Sequence, residues 1–131
     1  MKKTGVLNKD IPEVIASMGH MDMLVIGDAG LPIPAKVRRI DLAVKKDVPG
    51  FIETVEAIAE ELKVERIIIA EETGRVSPHI QDALLRIFDG VEVKKVSHKS
   101  LKDLCYDAVA VIRTGEFTPY ANVVLVSGVV F

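Results

Sequence analysis

The chain has 131 residues, and its 17 basic and 19 acidic side chains give a formal net charge of -2. This balance leaves no basic surface of the kind that binds nucleic acid or an anionic membrane. Hydrophobic residues make up 49% of the chain, aromatic residues 5%, and there is one cysteine. We therefore expect a single domain over residues 1–131, with an aliphatic core and no disulfide.

Its apolar stretches are too short to span a membrane, and no apolar run follows the two N-terminal lysines as it would in a signal peptide. We therefore expect a cytoplasmic protein without membrane contact.

Helical and extended patterns alternate along the first half of the chain. Apolar residues at helical spacing predict two helices, and short apolar or alternating runs predict strands. In chain order, the predicted elements are a helix over 11–18, strands over 24–28 and 38–44, a helix over 51–62 and a strand over 65–71.

The second half continues this alternation. The pair Ser77-Pro78 is a typical helix start, and an apolar stripe follows it to Phe88. The later predictions are a strand over 91–97, a short helix over 97–106, a strand over 108–115, a turn over 115–122 and a last strand over 122–131. Strands that alternate with helices predict an α/β fold, with a mostly parallel sheet and helices on both faces.

The loop DAGLPIP (28–34) follows the first predicted strand, where open parallel sheets bind ligands. It does not fit phosphate: it contains neither GxGxxG nor GK[ST], Pro32 and Pro34 remove two N–H donors, and Asp28 repels anions. A lone carboxylate suits a neutral ligand with neighbouring hydroxyls. A metal would also suit it, but no second ligand stands beside it in sequence. The remaining alternative is that Asp28 only closes a turn.

His20 lies between the first predicted helix and the first predicted strand. It is either a surface histidine or a functional one. An extended segment from 24 to 28 is about 13 Å long, so it holds His20 and Asp28 of one chain apart. Either the two do not cooperate, or His20 of one subunit faces Asp28 of another.

Tyr120 and Asn122 lie in the predicted turn GEFTPYAN (115–122). A tyrosine ring and an amide are what a sugar site uses, although an ordinary turn also accommodates them. His98 and Lys102 are four residues apart and share a face of the predicted short helix, where they are either solvated or functional. Arg113 either braces the neighbouring turn or makes a subunit contact.

Six motifs, spread over the whole chain, resemble the D-ribose pyranase (ribose mutarotase) family. They are MKKTGVLN (1–8), MGH (18–20), DAGLPIP (28–34), IDL (40–42), SH (97–98) and VIRTGEFTPYAN (111–122). DAGLP together with RTGEFTPYAN is the specific combination. The sister L-fucose mutarotases share the histidine and the following aspartate, but usually lack GLP and TPYAN.

The resemblance implies an isomerase that interconverts β-D-ribopyranose and β-D-ribofuranose without a cofactor or metal. It implies that His20 is the proton donor and that Asp28, His98, Tyr120 and Asn122 contact the sugar. Lys102 stands where a further polar contact is found. It also implies a homodecamer of two stacked pentamers, with sites between subunits.

This chemistry fits the residues. Opening the sugar ring removes a proton from the anomeric hydroxyl and delivers one to the ring oxygen, for which a general acid that titrates near neutral pH is enough. Free imidazole titrates at about pH 6.5. Asp28 either binds a hydroxyl or orients a histidine. The alternatives for the whole protein are an L-fucose-type mutarotase and a non-catalytic sugar-binding or regulatory module.

Overall fold

Six strands join in one sheet, and most of them are runs of aliphatic and β-branched residues. The computed structural model describes residues 1–131. The strands are Met23–Gly27 (β1), Arg39–Asp41 (β2), Val64–Ala70 (β3), Glu92–Val96 (β4), Ala110–Arg113 (β5) and Val123–Ser127 (β6). The helices are Asp10–Ser17 (α1), Phe51–Ala59 (α2), Glu71–Val76 (α3), Pro78–Ile87 (α4) and His98–Leu104 (α5), and a 3-10 turn follows at Cys105–Asp107.

The strand order is β2-β5-β1-β6-β3-β4. β1 and β2 pair with β5 in parallel, and β3 pairs with β4 in parallel. β6 lies between β1 and β3 and is antiparallel to both. The predicted mostly parallel α/β sheet is confirmed, with β6 as the exception. Because β1 lies between β5 and β6, the segment that joins them crosses the carboxyl end of β1.

Helices cover both faces of the sheet, as predicted. Side chains alternate along each strand, so Leu24 and Ile26 of β1 pack with α1, α2 and α4, while Val25 packs on the opposite face with α5. Cys105 is fully buried on the α5 side, and this burial raises the pKa of its thiol to about 11. It is therefore a small core residue. No helix has the length and apolar character that a membrane crossing requires.

Several predicted element boundaries were wrong. The second strand is only Arg39–Asp41, and the last one ends at Ser127, where the backbone N–H of Gly128 turns to the carbonyl of Lys63 at 2.8 Å. The helix α3 was not predicted at all. Its one buried residue is Thr73, so it carries no apolar stripe that periodicity could reveal.

Gly115 packs against the backbone of the loop before α2. A Cβ built on Gly115 would lie 2.6 Å from the carbonyl oxygen of Lys45 and closer still to that of Val48. Backbone atoms cannot rotate away as side chains can, so we expect Gly115→Ala to lower the free energy of unfolding by about 1–3 kcal/mol in chemical denaturation. Gly19→Ala is the matched control, because its nearest neighbour atom is 3.8 Å away and contact there is ordinary. Equal stability of Gly115→Ala and the wild type would contradict this close packing.

Candidate functional site

Asp28 and Asn122 are 94 residues apart in sequence and pair directly at the carboxyl end of β1. The backbone N–H of Asp28 donates to Asn122 Oδ1 at 3.0 Å, and Asn122 Nδ2 donates to Asp28 Oδ2 at 3.1 Å. Asn122 is fully buried. Gly27 leaves room for its amide, since a Cβ on Gly27 would lie 2.9 Å from Asn122 Oδ1. The amide thus fixes the orientation of the carboxylate.

The Asp28 carboxylate retains acceptor capacity. Its Oδ1 accepts from the backbone N–H of Gly30 at 2.9 Å. A carboxylate has about four lone-pair positions, so hydroxyls of a ligand can still bind. Burial raises the pKa of Asp28, and the hydrogen bonds from Gly30 and Asn122 oppose that shift.

Tyr120, two residues before Asn122, lies in a strained turn. Its φ is +60°, in the left-handed region that few residues other than glycine adopt. Two buried hydroxyls hold the turn: Thr73 Oγ1 donates to the carbonyl of Tyr120 at 2.8 Å, and Ser77 Oγ donates to the carbonyl of Pro119 at 2.7 Å. The hydroxyl of Ser77 therefore fixes this turn and does not cap α4.

His98, the first residue of α5, completes the group. Its ring meets that of Tyr120 edge to face, with centroids 5.0 Å apart and an interplanar angle of 81°. Its backbone N–H donates to Glu72 Oε2 at 2.7 Å, which ties α5 to α3. His98 is also close enough to Asp28 to favour the ionised carboxylate. Asp28, His98, Tyr120 and Asn122 therefore lie together in one chain.

Arg113 braces the Asp28 loop. Its Nε donates to the carbonyl of Ala29 at 3.0 Å, and its Nη1 donates to both carboxylate oxygens of Asp41 at 3.2 Å. These bonds go to the loop after β1 and to β2, and not to the turn over 115–122 that Arg113 was expected to brace; a subunit contact of Arg113 stays a prediction. Beside it opens a cleft of about 380 Å³, within the usual range for small-molecule sites. The cleft is lined by Asp28, Ala29, Gly30, Arg113, Glu116 and Phe117.

Lys102 lies one helical turn after His98 but faces a different groove. That groove, of about 360 Å³, lies between α5 and the proline residues of the loop, Pro32 and Pro34. Lys102 is therefore beside the far flank of the loop that carries Asp28.

His20 lies at the opposite end of β1. Its Nε2 is 2.9 Å from Glu65 Oε2, and its side chain is 53% exposed. It borders an apolar cleft of about 480 Å³ that includes the C-terminal residues Val129, Val130 and Phe131. The five-residue strand β1 separates His20 from Asp28, as the sequence predicted.

The sequence did not reveal three residues that support the site. Glu72 and Thr73 lie in α3, and Ser77 directly follows it. One signal could have revealed them: a polar segment directly after the buried strand β3, at the edge where ligands bind. No three His, Cys, Asp or Glu side chains lie together as a metal ion would require.

The model of the RbsD / FucU transport protein family matches residues 1–130. Among individual relatives, the D-ribose pyranase of Chloroflexus aggregans is 58% identical over 131 residues, which cover all of both chains. The D-ribose pyranase of Symbiobacterium thermophilum is 53% identical, again over the full length of both. The resemblance seen in the sequence motifs is thus confirmed.

Solved structures agree with this. Bacillus subtilis RbsD complexed with D-ribose superposes with a TM-score of 0.97 at 46% identity, over 100% of both chains. The fucose mutarotase of Streptococcus pneumoniae, in complex with L-fucose, has a TM-score of 0.78 at 23% identity, over 95% of each chain, and shows a shared fold. With sequence and fold in agreement over the full length, the chain belongs to the RbsD / FucU transport protein family.

Proposed function

We propose that this protein is a D-ribose pyranase, an isomerase that interconverts β-D-ribopyranose and β-D-ribofuranose without a cofactor. The observation that carries the proposal is the convergence of Asp28, His98, Tyr120 and Asn122 on one edge of the sheet. Relatives that match the whole chain at 58% and 53% identity bear the name D-ribose pyranase. The acting unit is the single domain of residues 1–131.

In this proposal the sugar binds over the Asp28–Asn122 pair. The carboxylate of Asp28 accepts from neighbouring hydroxyls, because Asn122 and Gly30 hold it in place without saturating it. Tyr120 and His98 form one wall, and their edge-to-face contact fixes both rings. Lys102 lines the groove on the other flank of the loop, and in this proposal it makes its further polar contact with the sugar from that side.

His20 is the proton donor of the reaction. Ring opening breaks the bond between the anomeric carbon and the ring oxygen, and the electron pair goes to that oxygen, which takes a proton from the imidazolium. The proton released by the anomeric hydroxyl restores the imidazolium, so no proton is gained or lost overall. Closure through a different hydroxyl repeats the exchange and gives the other ring size.

The acid reaches the sugar from a neighbouring subunit, in a cytoplasmic homodecamer of two stacked pentamers. Two features support an assembly of this kind. His20 and Asp28 lie at opposite ends of β1, so one chain does not bring them together. Beside His20, Val130 is 86% and Phe131 100% exposed in the isolated chain, and exposed apolar clusters are typical of interfaces.

Saturation-transfer NMR tests the activity directly. We expect the wild-type protein to speed the exchange between the pyranose and furanose signals of D-ribose, and to act less on the ring forms of L-fucose. Faster exchange with L-fucose than with ribose would indicate a fucose-type mutarotase. Ribose binding without faster exchange would indicate a sugar-binding module and refute the proposal.

A further inference from the structure

The side chain of Glu65 holds the ring of His20. Glu65 Oε2 lies 2.9 Å from His20 Nε2, and Glu65 is half-buried while His20 is exposed. An ionised carboxylate only accepts hydrogen bonds, so Nε2 must carry the proton of this contact. Nδ1 is then the ring nitrogen left for a substrate.

Glu65 reaches His20 because of an irregularity in the sheet. In the antiparallel pairing of β3 with β6, Val64 is opposite Ser127 and Arg66 is opposite Val126. Two steps along β3 therefore match one step along β6, and Glu65 is the extra residue of a β-bulge. Bulges redirect side chains and are frequent beside active sites.

Gly128 gives the Glu65 side chain its room. A Cβ built on Gly128 would lie 3.0 Å from the Cβ of Glu65 and 3.4 Å from its Oε2. The first of these contacts is tighter than side chains normally tolerate. The bulge in β3 and the glycine that follows β6 thus both serve to place this carboxylate.

The turn that carries His20 is itself fixed. Met21 has φ +71°, an unusual value for a side chain of its size. Its N–H donates to the carbonyl of Ser127 at 2.9 Å, and Asp22 Oδ2 accepts from the N–H of Gly19 at 2.8 Å. Backbone strain of this type persists where the surrounding structure holds it in place, and it clusters at functional sites.

We propose that Glu65 is a positioning residue for His20: it fixes the imidazole through Nε2 and leaves Nδ1 to exchange the proton with the sugar. This inference rests on the proposed role of His20 as the proton donor. It adds Glu65 of β3 to the proposed catalytic machinery, at the end of the sheet opposite to the group around Asp28.

The test compares kcat and KM of ribose exchange in three variants. Glu65→Ala removes the acceptor, and we expect kcat to fall roughly tenfold to a hundredfold with KM unchanged, since part of a general-acid contribution is lost. Glu65→Gln keeps an oxygen that accepts from Nε2–H, and we expect a kcat close to that of the wild type. Glu92→Gln is the matched control, because Glu92 makes a similar 2.9 Å contact with Arg66 away from His20.

Repeating Glu65→Ala in a His20→Ala background separates positioning from folding. If Glu65 acts through His20, its loss has no further effect on the rate when His20 is absent, because coupled residues are not additive. A further fall in that background would show a general structural role and overturn the inference. So would a Glu65→Ala protein with the wild-type kcat, or a Glu65→Gln protein as slow as Glu65→Ala. Absence of activity in the wild type would instead refute the proposed function.

Discussion

His20→Ala is expected to lower the rate of ribose ring interconversion by roughly two to four orders of magnitude, the usual contribution of a general acid, while ribose still binds. Binding persists because the group around Asp28 holds the sugar, and within one chain this group lies at the end of β1 opposite to His20. The fold should also persist, since the His20 side chain is 53% exposed and contributes nothing to the core. Saturation-transfer NMR gives the rate, and calorimetric titration with ribose gives the affinity.

The chain offers a matched control for this variant. His79 is exposed in the first turn of α4, so His79→Ala should keep the wild-type rate and affinity. A His20→Ala protein that retained the wild-type rate would remove His20 from the mechanism. A His20→Ala protein that bound ribose more weakly but kept the wild-type kcat would show that His20 is a binding residue.

Asp28→Asn should weaken ribose binding by roughly tenfold to a hundredfold, since hydrogen bonds to a charged group are worth about 1.5–3 kcal/mol. There is also a local conflict. Asn122 Nδ2 and the N–H of Gly30 both donate to the carboxylate, and an amide group there would bring its own N–H donors against one of them. Calorimetric titration with ribose measures the loss of affinity.

Ribose affinity separates a sugar-binding role of Asp28 from a turn-closing one, because the charge of Asp28 does not stabilise the fold. Burial raises the pKa of Asp28, so its ionised form is disfavoured in the folded state and weakens folding at neutral pH. That weakening disappears as the pH falls through the raised pKa. Loss of the charge by itself in Asp28→Asn therefore removes no stabilisation, and a fall in stability would come from the amide N–H group that faces Asn122 Nδ2 or the N–H of Gly30. Unchanged ribose affinity, with Asp89→Asn as an exposed control, would reduce Asp28 to a turn residue.

Apolar periodicity predicted most of the fold because most elements bury a stripe of aliphatic side chains. In α1, Ile11 and Val14 are buried as their spacing required. The same reasoning fails for α3, where the buried contact is the hydroxyl of Thr73 on the carbonyl of Tyr120. A hydrogen bond to a turn 47 residues away leaves no periodic pattern in the local sequence.

The individual side chains of the candidate site could be named from their chemistry, but not their partners. The pairing of Asp28 with Asn122 follows from β6 entering next to β1, and this topology is a property of the whole sheet. The separation of His20 from Asp28 was predictable because strand length alone determines it. The contact of Glu65 with His20 was not predictable, because a single extra residue in the pairing of two strands leaves no pattern in one sequence.

The antiparallel strand β6 touches both halves of the proposed machinery. Asn122 precedes its first residue and holds Asp28, while Ser127, its last residue, holds the turn of His20. β6 is hydrogen-bonded to a strand on each side, so it is rigid. It therefore keeps His20 and Asp28 of one chain at a fixed separation. If His20 of a neighbouring subunit supplies the proton, a newly synthesised chain is inactive until it associates with other copies of itself. Self-association then acts as the switch that turns the enzyme on.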